Sequence, residues 1–316
     1  MSGAAHTQVR PVDVLVVGLG PAGGSAATFA AAAGLNVLGI DSKETIGEPV
    51  QCAGFVPMQL AHHAQHPHVF RQRVSRMRTA LPSGAAEFSD VPGLMVDRAA
   101  FDQYLAERAK IVGARVRTGV RLAALNTSEK IATLSGAQGE RQVHYSVLVA
   151  ADGPRSSIAM LMGLAALRTI NTRQYTVPLK FPHEDTDIWL NGDYPGGYGW
   201  MFPSGELANV GVAVEPEFNT NIKERLDALH AHLVALRMVG GEIFRRSGGA
   251  IPVGGLRERL VHGQILFVGD AAGLTHPITG AGVSAAVVSG ERAGQVAAEY
   301  LAGDVTALAG YEEDMR

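Results

Sequence analysis

The sequence predicts an α/β fold in which a domain built on a parallel sheet is interrupted by a second domain built on an antiparallel sheet. Two short apolar runs, residues 12–17 (VDVLVV) and 264–268 (QILFV), each end at a glycine, as buried parallel strands often do. A stretch rich in glycine and alanine follows each run, which predicts a closely packed helix. Between the two runs, residues 165–247 are richer in Trp, Tyr and Pro, and this change predicts the second domain.

Composition excludes several classes of protein. Of the 316 residues, 47% are hydrophobic and 18% are charged, whereas about 25% are charged in an ordinary globular protein. The net charge of −3 argues against a general nucleic-acid binder, which normally carries a basic stripe. The single cysteine, Cys52, excludes an internal disulfide and a cysteine-rich metal site.

Targeting and metal signals are weak. Residues 1–10 lack the apolar core of a signal peptide, and no apolar run reaches about 18 residues, so we expect a cytoplasmic protein. Peripheral contact with a membrane is left open. We expect no bound metal, and we interpret as a solvated loop the histidines His62, His63, His66 and His68. We interpret as a solvated strand edge the arginines Arg71, Arg73, Arg76 and Arg78.

A glycine-rich turn follows the first strand. Residues 18–23 (GLGPAG) carry the pattern GxGxxG ahead of a predicted helix of small residues. Gly18 allows a tight turn, Gly20 lets a pyrophosphate approach the backbone, and Gly23 lets helix and strand pack closely. The helix start offers free N–H groups to that pyrophosphate. In this context the pattern predicts a dinucleotide site.

An acidic residue narrows the choice of dinucleotide. The second strand, residues 35–40, ends at Asp41, which lies 18 residues after Gly23. An acid at this place can accept a hydrogen bond from a ribose hydroxyl and disfavours a 2′-phosphate. The ligand is therefore FAD or NAD rather than NADP.

The second apolar run favours FAD. It continues into residues 269–273 (GDAAG), and Gly280 and Gly282 then open a helix predicted over residues 281–302. The Asp270 carboxylate can accept hydrogen bonds from ribityl hydroxyls, and the helix start near Val283 can stabilise negative charge on a reduced flavin. A dehydrogenase that uses NAD alone does not need a late segment of the chain to return to the first strand in this way.

A third segment suggests a contact with the nucleotide. Asp97 is expected to cap a helix that ends at Gly113, and Arg98 lies in its first turn, where a cation opposes the helix dipole. An anion bound there would offset this unfavourable interaction between the cation and the helix dipole, so Arg98 is a candidate phosphate or ribose contact. A solvated surface arginine explains the same position equally well.

Several motifs together resemble a known family. The segments GLGPAG, VDRAAFD, AADGPRSS and GDAAGLTHPITGAG resemble the FAD-dependent oxidoreductases of the para-hydroxybenzoate hydroxylase superfold. Two more segments, residues 46–54 (IGEPVQCAG) and 198–203 (YGWMFP) with Gly211 beyond it, resemble the geranylgeranyl reductase family within that group. The resemblance covers nearly the whole chain, with the motifs in the family's order.

The resemblance implies which residues hold FAD. Those at its adenosine and pyrophosphate end would be Ala22, Gly23 and Asp41. Those at its nucleotide half would be Arg98 and Val120. The residues at the ribityl chain and flavin would be Asp270, Gly282 and Val283, and reasoning from the residues adds Gly18, Gly20 and Gly280.

The resemblance also implies a substrate site. Cys52 and Ala53 would lie on a loop beside the isoalloxazine ring. The substrate pocket would include Tyr198, Trp200 and Phe202. The candidate catalytic residues are Tyr198, Trp200 and Cys52.

The implied activity is a flavin-dependent reductase that saturates carbon–carbon double bonds in an isoprenoid or another long apolar substrate. An external donor, NAD(P)H or ferredoxin, would reduce the FAD. A first alternative is an FAD-dependent monooxygenase, of hydroxylase or halogenase type, acting on an aromatic or apolar small molecule. A second alternative is a flavin electron carrier or sensor without enzymatic activity.

We expect two domains, each made of separate stretches of chain. A Rossmann-type FAD-binding domain would comprise residues 1–73, 91–164 and 248–316. An antiparallel-sheet substrate domain would comprise residues 74–90 and 165–247. Members of the resembled family carry a further helical segment after the last FAD helix, so we expect here a more open pocket, a smaller substrate, or a tunnel that another chain or a membrane completes.

Overall fold

The computed structural model describes residues 11–316, so the first ten residues, on which the expectation of a missing signal peptide rests, lie outside the description. The described strands are β1 (Val12–Val17), β2 (Val37–Ile40), β3 (Phe55–Pro57), β4 (Phe70–Ala80), β5 (Ala86–Val96), β6 (Arg115–Arg117), β7 (Arg121–Asn126), β8 (Ile131–Gly136), β9 (Gly139–Ala150), β10 (Thr169–Pro178), β11 (Thr186–Trp189), β12 (Gly199–Ser204), β13 (Leu207–Val214), β14 (Arg245–Pro252), β15 (Val261–His262) and β16 (Ile265–Phe267). The helices are α1 (Pro21–Ala32), α2 (Ala61–Ala64), α3 (Arg98–Ile111), α4 (Ser157–Leu161), α5 (Ile222–Ala235), α6 (Gly269–Ala272), α7 (Val283–Leu301) and α8 (Ala307–Asp314). Within residues 11–316, no helix combines the length and the apolar character needed to cross a membrane.

The chain divides into two compact units. Unit 1 comprises Met1–Glu48, Asp102–Leu167 and Gly254–Arg316, of which residues 1–10 are not described. Unit 2 comprises Pro49–Phe101 and Arg168–Val253. The division differs from the sequence-based boundaries mainly at residues 49–73 and 91–101, which the sequence analysis assigns to the FAD domain, and also at the short stretches 165–167 and 248–253. The two longer stretches form or flank strands β3, β4 and β5, and those strands pair with one another in the sheet of unit 2.

Unit 1 contains a mainly parallel sheet in the order β15-β16-β9-β1-β2-β6, and β7 and β8 extend it beside β9. β1 lies between β2 and β9 and is parallel to both. The alternation of strand and helix imposes this topology, because parallel neighbours require a crossover connection. The residues of β1 and of the C-terminal half of β9 are almost all apolar and buried, which confirms the prediction of buried parallel strands.

Helices α1 and α7 pack against each other at very short range within unit 1. A Cβ atom added to Gly290 would lie 2.1 Å from the Ala22 carbonyl oxygen, and one added to Gly294 would lie 2.6 Å from the Ala26 carbonyl oxygen. The backbones of the two helices therefore touch where α7 has no side chains. This contact explains the excess of glycine and alanine that the sequence shows in both helices.

Unit 2 contains an eight-stranded sheet in the order β14-β10-β13-β12-β11-β4-β5-β3. All its pairs are antiparallel except β11 with β4, so the predicted antiparallel sheet carries one parallel pair. Helix α5 belongs to the apolar core of this unit, and its buried side chains include Leu226, Leu229 and Leu233. The helix ends at Ala235.

Two interpretations of surface segments are wrong. His62 and His63 lie on helix α2 rather than in a solvated loop and His63 is buried, whereas His66 and His68 are exposed in the turn that follows, as expected. The arginine-rich strand β4 is not a sheet edge, because it pairs with β5 on one side and with β11 on the other. Its cations meet acids across that pairing, as Arg78 does with Asp187 at 3.2 Å.

Candidate functional site

The glycine turn of unit 1 is closed on one side and open on the other. A Cβ atom at Gly18, whose φ is +91°, would lie 2.3 Å from the Ala151 carbonyl oxygen. A Cβ atom at Gly23 would lie 1.8 Å from the Gly18 carbonyl oxygen, so both positions require glycine. A Cβ atom at Gly20 would meet no atom of the described chain within 4 Å. Gly20 is the N-cap residue of α1, so this open space lies beside the first turn of the helix, whose N–H groups have no partner within the helix.

Asp41 shapes the same turn. Its Oδ2 accepts a hydrogen bond from the Leu19 N–H at 2.9 Å, and its Oδ1 accepts one from the Lys43 N–H at 2.9 Å. The Asp41 carbonyl oxygen accepts a hydrogen bond from the Val120 N–H at 2.9 Å, which brings Val120 next to the strand end. A carboxylate has about four lone-pair sites, so each oxygen keeps capacity for a ribose hydroxyl. Asp41 thus supports the turn and can also bind a nucleotide.

The second turn of unit 1 brings Asp270 to the start of α7. Its Oδ1 accepts a hydrogen bond from the Thr275 hydroxyl at 2.6 Å. A Cβ atom at Gly282 would lie 2.7 Å from the Thr275 hydroxyl oxygen and 3.1 Å from Asp270 Oδ1, so only glycine fits there. Helix α7 begins at Val283, and Gly282 caps it without a side-chain hydrogen bond. A carboxylate and the start of α7 are therefore adjacent.

His276 organises the loop that joins these two features. Its Nδ1 accepts hydrogen bonds from the backbone N–H groups of Ile278 and Thr279 at 3.4 and 3.3 Å. Its carbonyl oxygen accepts a hydrogen bond from the Gly280 N–H at 2.9 Å, and Gly280 has a φ of +67°. The imidazole therefore holds the turn that contains Gly280.

Arg257 is a residue of this region that sequence reasoning missed. Its side chain is buried and donates to the Ala271 carbonyl oxygen at 2.6 Å and to the Ala165 carbonyl oxygen at 2.8 Å. The guanidinium carbon also lies 5.1 Å from the centre of the Phe267 ring. Burial lowers the pKa of Arg257, but an arginine remains charged at neutral pH. Arg257 is a positioning residue for the turn that carries Asp270.

We expect Arg257→Met to weaken FAD binding about tenfold and to lower the melting temperature. The variant keeps an apolar side chain but leaves two buried carbonyl oxygens without a donor, which costs about 1–3 kcal/mol for each group. Titration of the apoprotein with FAD measures the dissociation constant, and thermal unfolding measures stability. Arg259→Met is the matched control, because Arg259 is exposed two residues further along. Equal behaviour of the two variants would contradict the assigned role.

An aromatic cluster on the sheet of unit 2 contains the predicted substrate residues. The rings of Tyr198 and Trp200 meet edge to face with their centroids 5.9 Å apart. They pack with Phe202, and their other apolar neighbours are Ala53, Ile170, Ala213, Ile251 and Val253. Burial, with a smaller effect of Cys52, raises the pKa of Tyr198 to about 12, so the phenol stays protonated at neutral pH.

The Trp200 ring packs against Gly211 on the neighbouring strand. A Cβ atom at Gly211 would lie 2.1 Å from the six-membered ring of Trp200, so the strand opposite must carry no side chain there. Trp200 is 6% exposed, and its indole N–H has no acceptor among residues 11–316. An unmet buried donor costs about 1–3 kcal/mol. This donor is therefore suited to a polar group of a ligand.

The loop with Cys52 and Ala53 is tied to the same sheet. The side-chain amide of Gln174 donates to the Cys52 carbonyl oxygen at 3.0 Å. The side-chain amide of Asn209 donates to the Ala53 carbonyl oxygen at 2.9 Å. Both amides are buried, and both were missed by sequence reasoning. The sequence carries one signal for such a residue, which is a polar side chain between apolar ones in a predicted strand. Asn209 in LANVGVAV is an example.

Arg98 occupies the start of helix α3, as predicted. Asp97 precedes it, and its Oδ1 accepts a hydrogen bond from the Ala100 N–H at 3.1 Å, which confirms the predicted cap. Asp97 also forms an ion pair with Arg71 at 2.7 Å. The Arg98 guanidinium carbon lies 6.0 Å from the centre of the Phe101 ring.

The residues of unit 1 fit an FAD molecule. The open backbone at Gly20 suits a pyrophosphate, which needs bare N–H groups and no side chain in its path. Asp41 retains acceptor capacity for the ribose and Asp270 for ribityl hydroxyls. At the start of α7 the N-cap residue is Gly282, which has no side chain, and the partial positive charge of the helix dipole there suits the anionic side of a reduced flavin.

The chain is similar to known reductases and flavin-dependent enzymes. The family model for the geranylgeranyl reductase catalytic domain matches residues 169–241. Digeranylgeranylglycerophospholipid reductase 2 of Methanopyrus kandleri is 35% identical, over 93% of this chain and 78% of that protein. A geranylgeranyl bacteriochlorophyll reductase-like protein of Thermoplasma acidophilum has a TM-score of 0.89 at 28% identity, over 96% of this chain and 83% of that one. A flavin-dependent brominase shares the fold, with a TM-score of 0.76 at 20% identity over 96% and 84% of the two chains.

The fold is that of the FAD-binding oxidoreductases related to hydroxylases and halogenases, which confirms the predicted fold class. Within that class, the chain belongs to the geranylgeranyl reductase family. It is an oxidoreductase, as its motifs predicted.

Proposed function

We propose that this chain binds FAD through unit 1 and reduces carbon–carbon double bonds in the isoprenoid chains of a lipid. The observation that carries the proposal is the match of residues 169–241 to the geranylgeranyl reductase catalytic domain, because this stretch contains the Tyr198–Trp200 cluster. The identity of 35% with a digeranylgeranylglycerophospholipid reductase supports a prenylated phospholipid as substrate.

An external donor, NAD(P)H or ferredoxin, would first reduce the bound FAD. The reduced FAD would then supply a hydride to one carbon of the alkene. The chain would contribute binding and electrostatics. The N–H groups at the start of α1 would bind the pyrophosphate, with Asp41 and Val120 at the ribose side. The start of α7 at Val283 would stabilise the negative charge that reduction creates.

The aromatic cluster of unit 2 would bind the apolar chain. Tyr198, Trp200 and Phe202 present ring surface without charged groups, which suits an isoprenoid. The indole N–H of Trp200 would donate to an oxygen of the bound ligand and so fix its orientation. The Tyr198 phenol, which burial keeps protonated, would deliver the proton to the second alkene carbon.

The proposal is tested by anaerobic single turnover. Chemically reduced holoenzyme is mixed with digeranylgeranylglycerophospholipid, and the return of the oxidised flavin spectrum is followed while the lipid is analysed by mass spectrometry. We expect reoxidation together with the addition of two hydrogens for each bond. Substrate-triggered oxygen uptake with an oxygenated product would instead identify a monooxygenase. Reoxidation only by a protein partner would identify an electron carrier.

A further inference from the structure

One face of unit 2 combines exposed apolar side chains with cations. It surrounds a cavity of about 160 Å³ at the C-terminal end of α5. We call it the α5-end face, and its defining residues are Leu179, Phe181, His183, Leu236, Arg237 and Met238. Phe181 is 70% exposed and Leu236 is 55% exposed, so two large apolar side chains project beside the cavity. Adjacent exposed apolar side chains of this size typically mark an interaction surface.

Arg237 occupies a backbone position that normally requires glycine. Its φ is +58°, and its N–H donates to the Val234 carbonyl oxygen in the turn that ends α5. Four other helices among residues 11–316 place a glycine with positive φ two residues after their last helical residue, and these glycines are Gly34, Gly113, Gly163 and Gly303. A left-handed arginine is strained relative to glycine, and such strain often accompanies function. The Arg237 side chain has no hydrogen bond or ion pair within residues 11–316, so its charge is available to a partner.

His183 adds a second cation to the same cavity. Its Nε2 lies 2.6 Å from Asp187 Oδ2, and Asp187 is 1% exposed. This hydrogen bond raises the pKa of His183, and the nearby Asp185 acts in the same direction while Arg78 opposes it. The imidazole is therefore cationic over more of the neutral range than a free histidine.

We propose that the α5-end face docks on the surface of an anionic phospholipid bilayer. Phe181 and Leu236 insert among the acyl chains, and Arg237 and His183 bind lipid phosphates. Charge complementarity favours a bilayer over a second copy of this chain, because a second copy would bring another Arg237, which forms no ion pair among residues 11–316, to the same interface, whereas a bilayer brings phosphate. A bilayer interface offers phosphate and hydrocarbon in adjacent layers, which matches cations beside projecting apolar side chains. The inference rests on the proposed function in one respect, since a prenylated phospholipid substrate resides in a membrane.

The experiment measures co-sedimentation of the holoenzyme with vesicles of phosphatidylcholine alone or mixed with phosphatidylglycerol. We expect binding to the mixed vesicles and much weaker binding to the neutral ones. Phe181→Ser should lower the affinity roughly tenfold or more through lost apolar burial. Arg237→Gly should lower it about fivefold through the loss of one cation at an anionic surface. Arg237→Gly should also keep or raise the melting temperature, because glycine accepts this φ without strain.

Phe218→Ser is the matched control. Phe218 is 53% exposed in the same unit but precedes the opposite end of α5, about 20 Å away along the helix. The control variant should bind vesicles like the wild type. Equal binding to neutral and anionic vesicles, or unchanged binding by both variants, would overturn the proposal. A dimer that sediments in the wild type and is lost in Phe181→Ser would overturn the proposal and would show that this face is an interface between copies of the chain.

A parallel assay separates this inference from the proposed function. The same variants are given a prenylated phospholipid dispersed in detergent, where membrane docking is not needed. We expect wild-type rates from Phe181→Ser and Arg237→Gly in detergent and reduced rates on vesicles. Vesicle binding without reduction of dispersed lipid would support docking and contradict the proposed activity. Reduction of dispersed lipid without vesicle binding would support the activity and contradict docking.

Discussion

Replacing Gly290 by valine is expected to abolish FAD binding and to destabilise unit 1 by about 3 kcal/mol, the upper end of the usual cost of overpacking. The added Cβ would lie 2.1 Å from the Ala22 carbonyl oxygen, and the obstructing atom belongs to the backbone of α1 and cannot rotate away. Helix α7 would have to move off α1. The free helix starts at Gly20 and Val283 would then shift relative to each other, and both are expected to face FAD.

Thermal unfolding and FAD titration check this prediction. A loss of 3 kcal/mol corresponds to a fall in melting temperature of roughly 6–12 °C, and less for a chain longer than about 250 residues. Gly310→Ala is the control, because Gly310 lies within α8 and an added Cβ there would meet nothing within 4 Å. Alanine is the better helix former, so this control should gain about 0.5–1 kcal/mol. A Gly290→Val protein with normal stability and FAD content would show that α1 and α7 do not need their close contact.

Replacing Tyr198 by phenylalanine is expected to lower the rate of double-bond reduction on the order of 100-fold, within the range for loss of a general acid. The ring and its edge-to-face contact with Trp200 remain, so FAD content and stability should change little. The phenol pKa of about 12 means that the proton donor is present below that pH and is lost only as pH rises through it. The wild-type rate should therefore show no fall from this group between pH 6 and 9.

Two further variants make the Tyr198 result specific. Tyr194→Phe removes the hydroxyl of another tyrosine that is buried in unit 2 but packs in the core with Leu229, so its rate should match the wild type. Cys52→Ala tests the other candidate proton donor. A normal rate from Tyr198→Phe together with a large loss from Cys52→Ala would transfer the role to the thiol. Single-turnover rates of reduced enzyme, measured without oxygen, separate the proton step from flavin reduction.

The predictable parts of the site are those that depend on neighbours in sequence. The strand before Gly18, the turn itself and the start of α1 lie within about twenty residues, and each follows from local rules for glycine and β-branched residues. The same holds for Asp97 as the cap of α3 and for Gly282 before α7. Boundaries are less predictable, since α5 ends at Ala235 and its final turn closes at Arg237, an arginine in the left-handed conformation that usually indicates glycine.

The missed residues act across long separations in the chain. Arg257 reaches Ala165, and Gln174 reaches Cys52, over 92 and 122 residues. In the sequence, such residues look like ordinary surface or strand positions. Only the paired strands reveal that their polar groups are buried and must find partners.

The sequence by itself determined the class of protein. Its two glycine-opened helices, its acids at strand ends and its YGWMFP segment define a member of the geranylgeranyl reductase family, because these features are local and chemically specific. The tertiary structure alone decided which residues share a unit, why Gly290 and Gly294 admit no side chain, and that Arg257 supports the Asp270 turn. The physical reason is that close packing and buried hydrogen bonds join residues far apart in the chain, whereas propensities and turn chemistry act only between near neighbours.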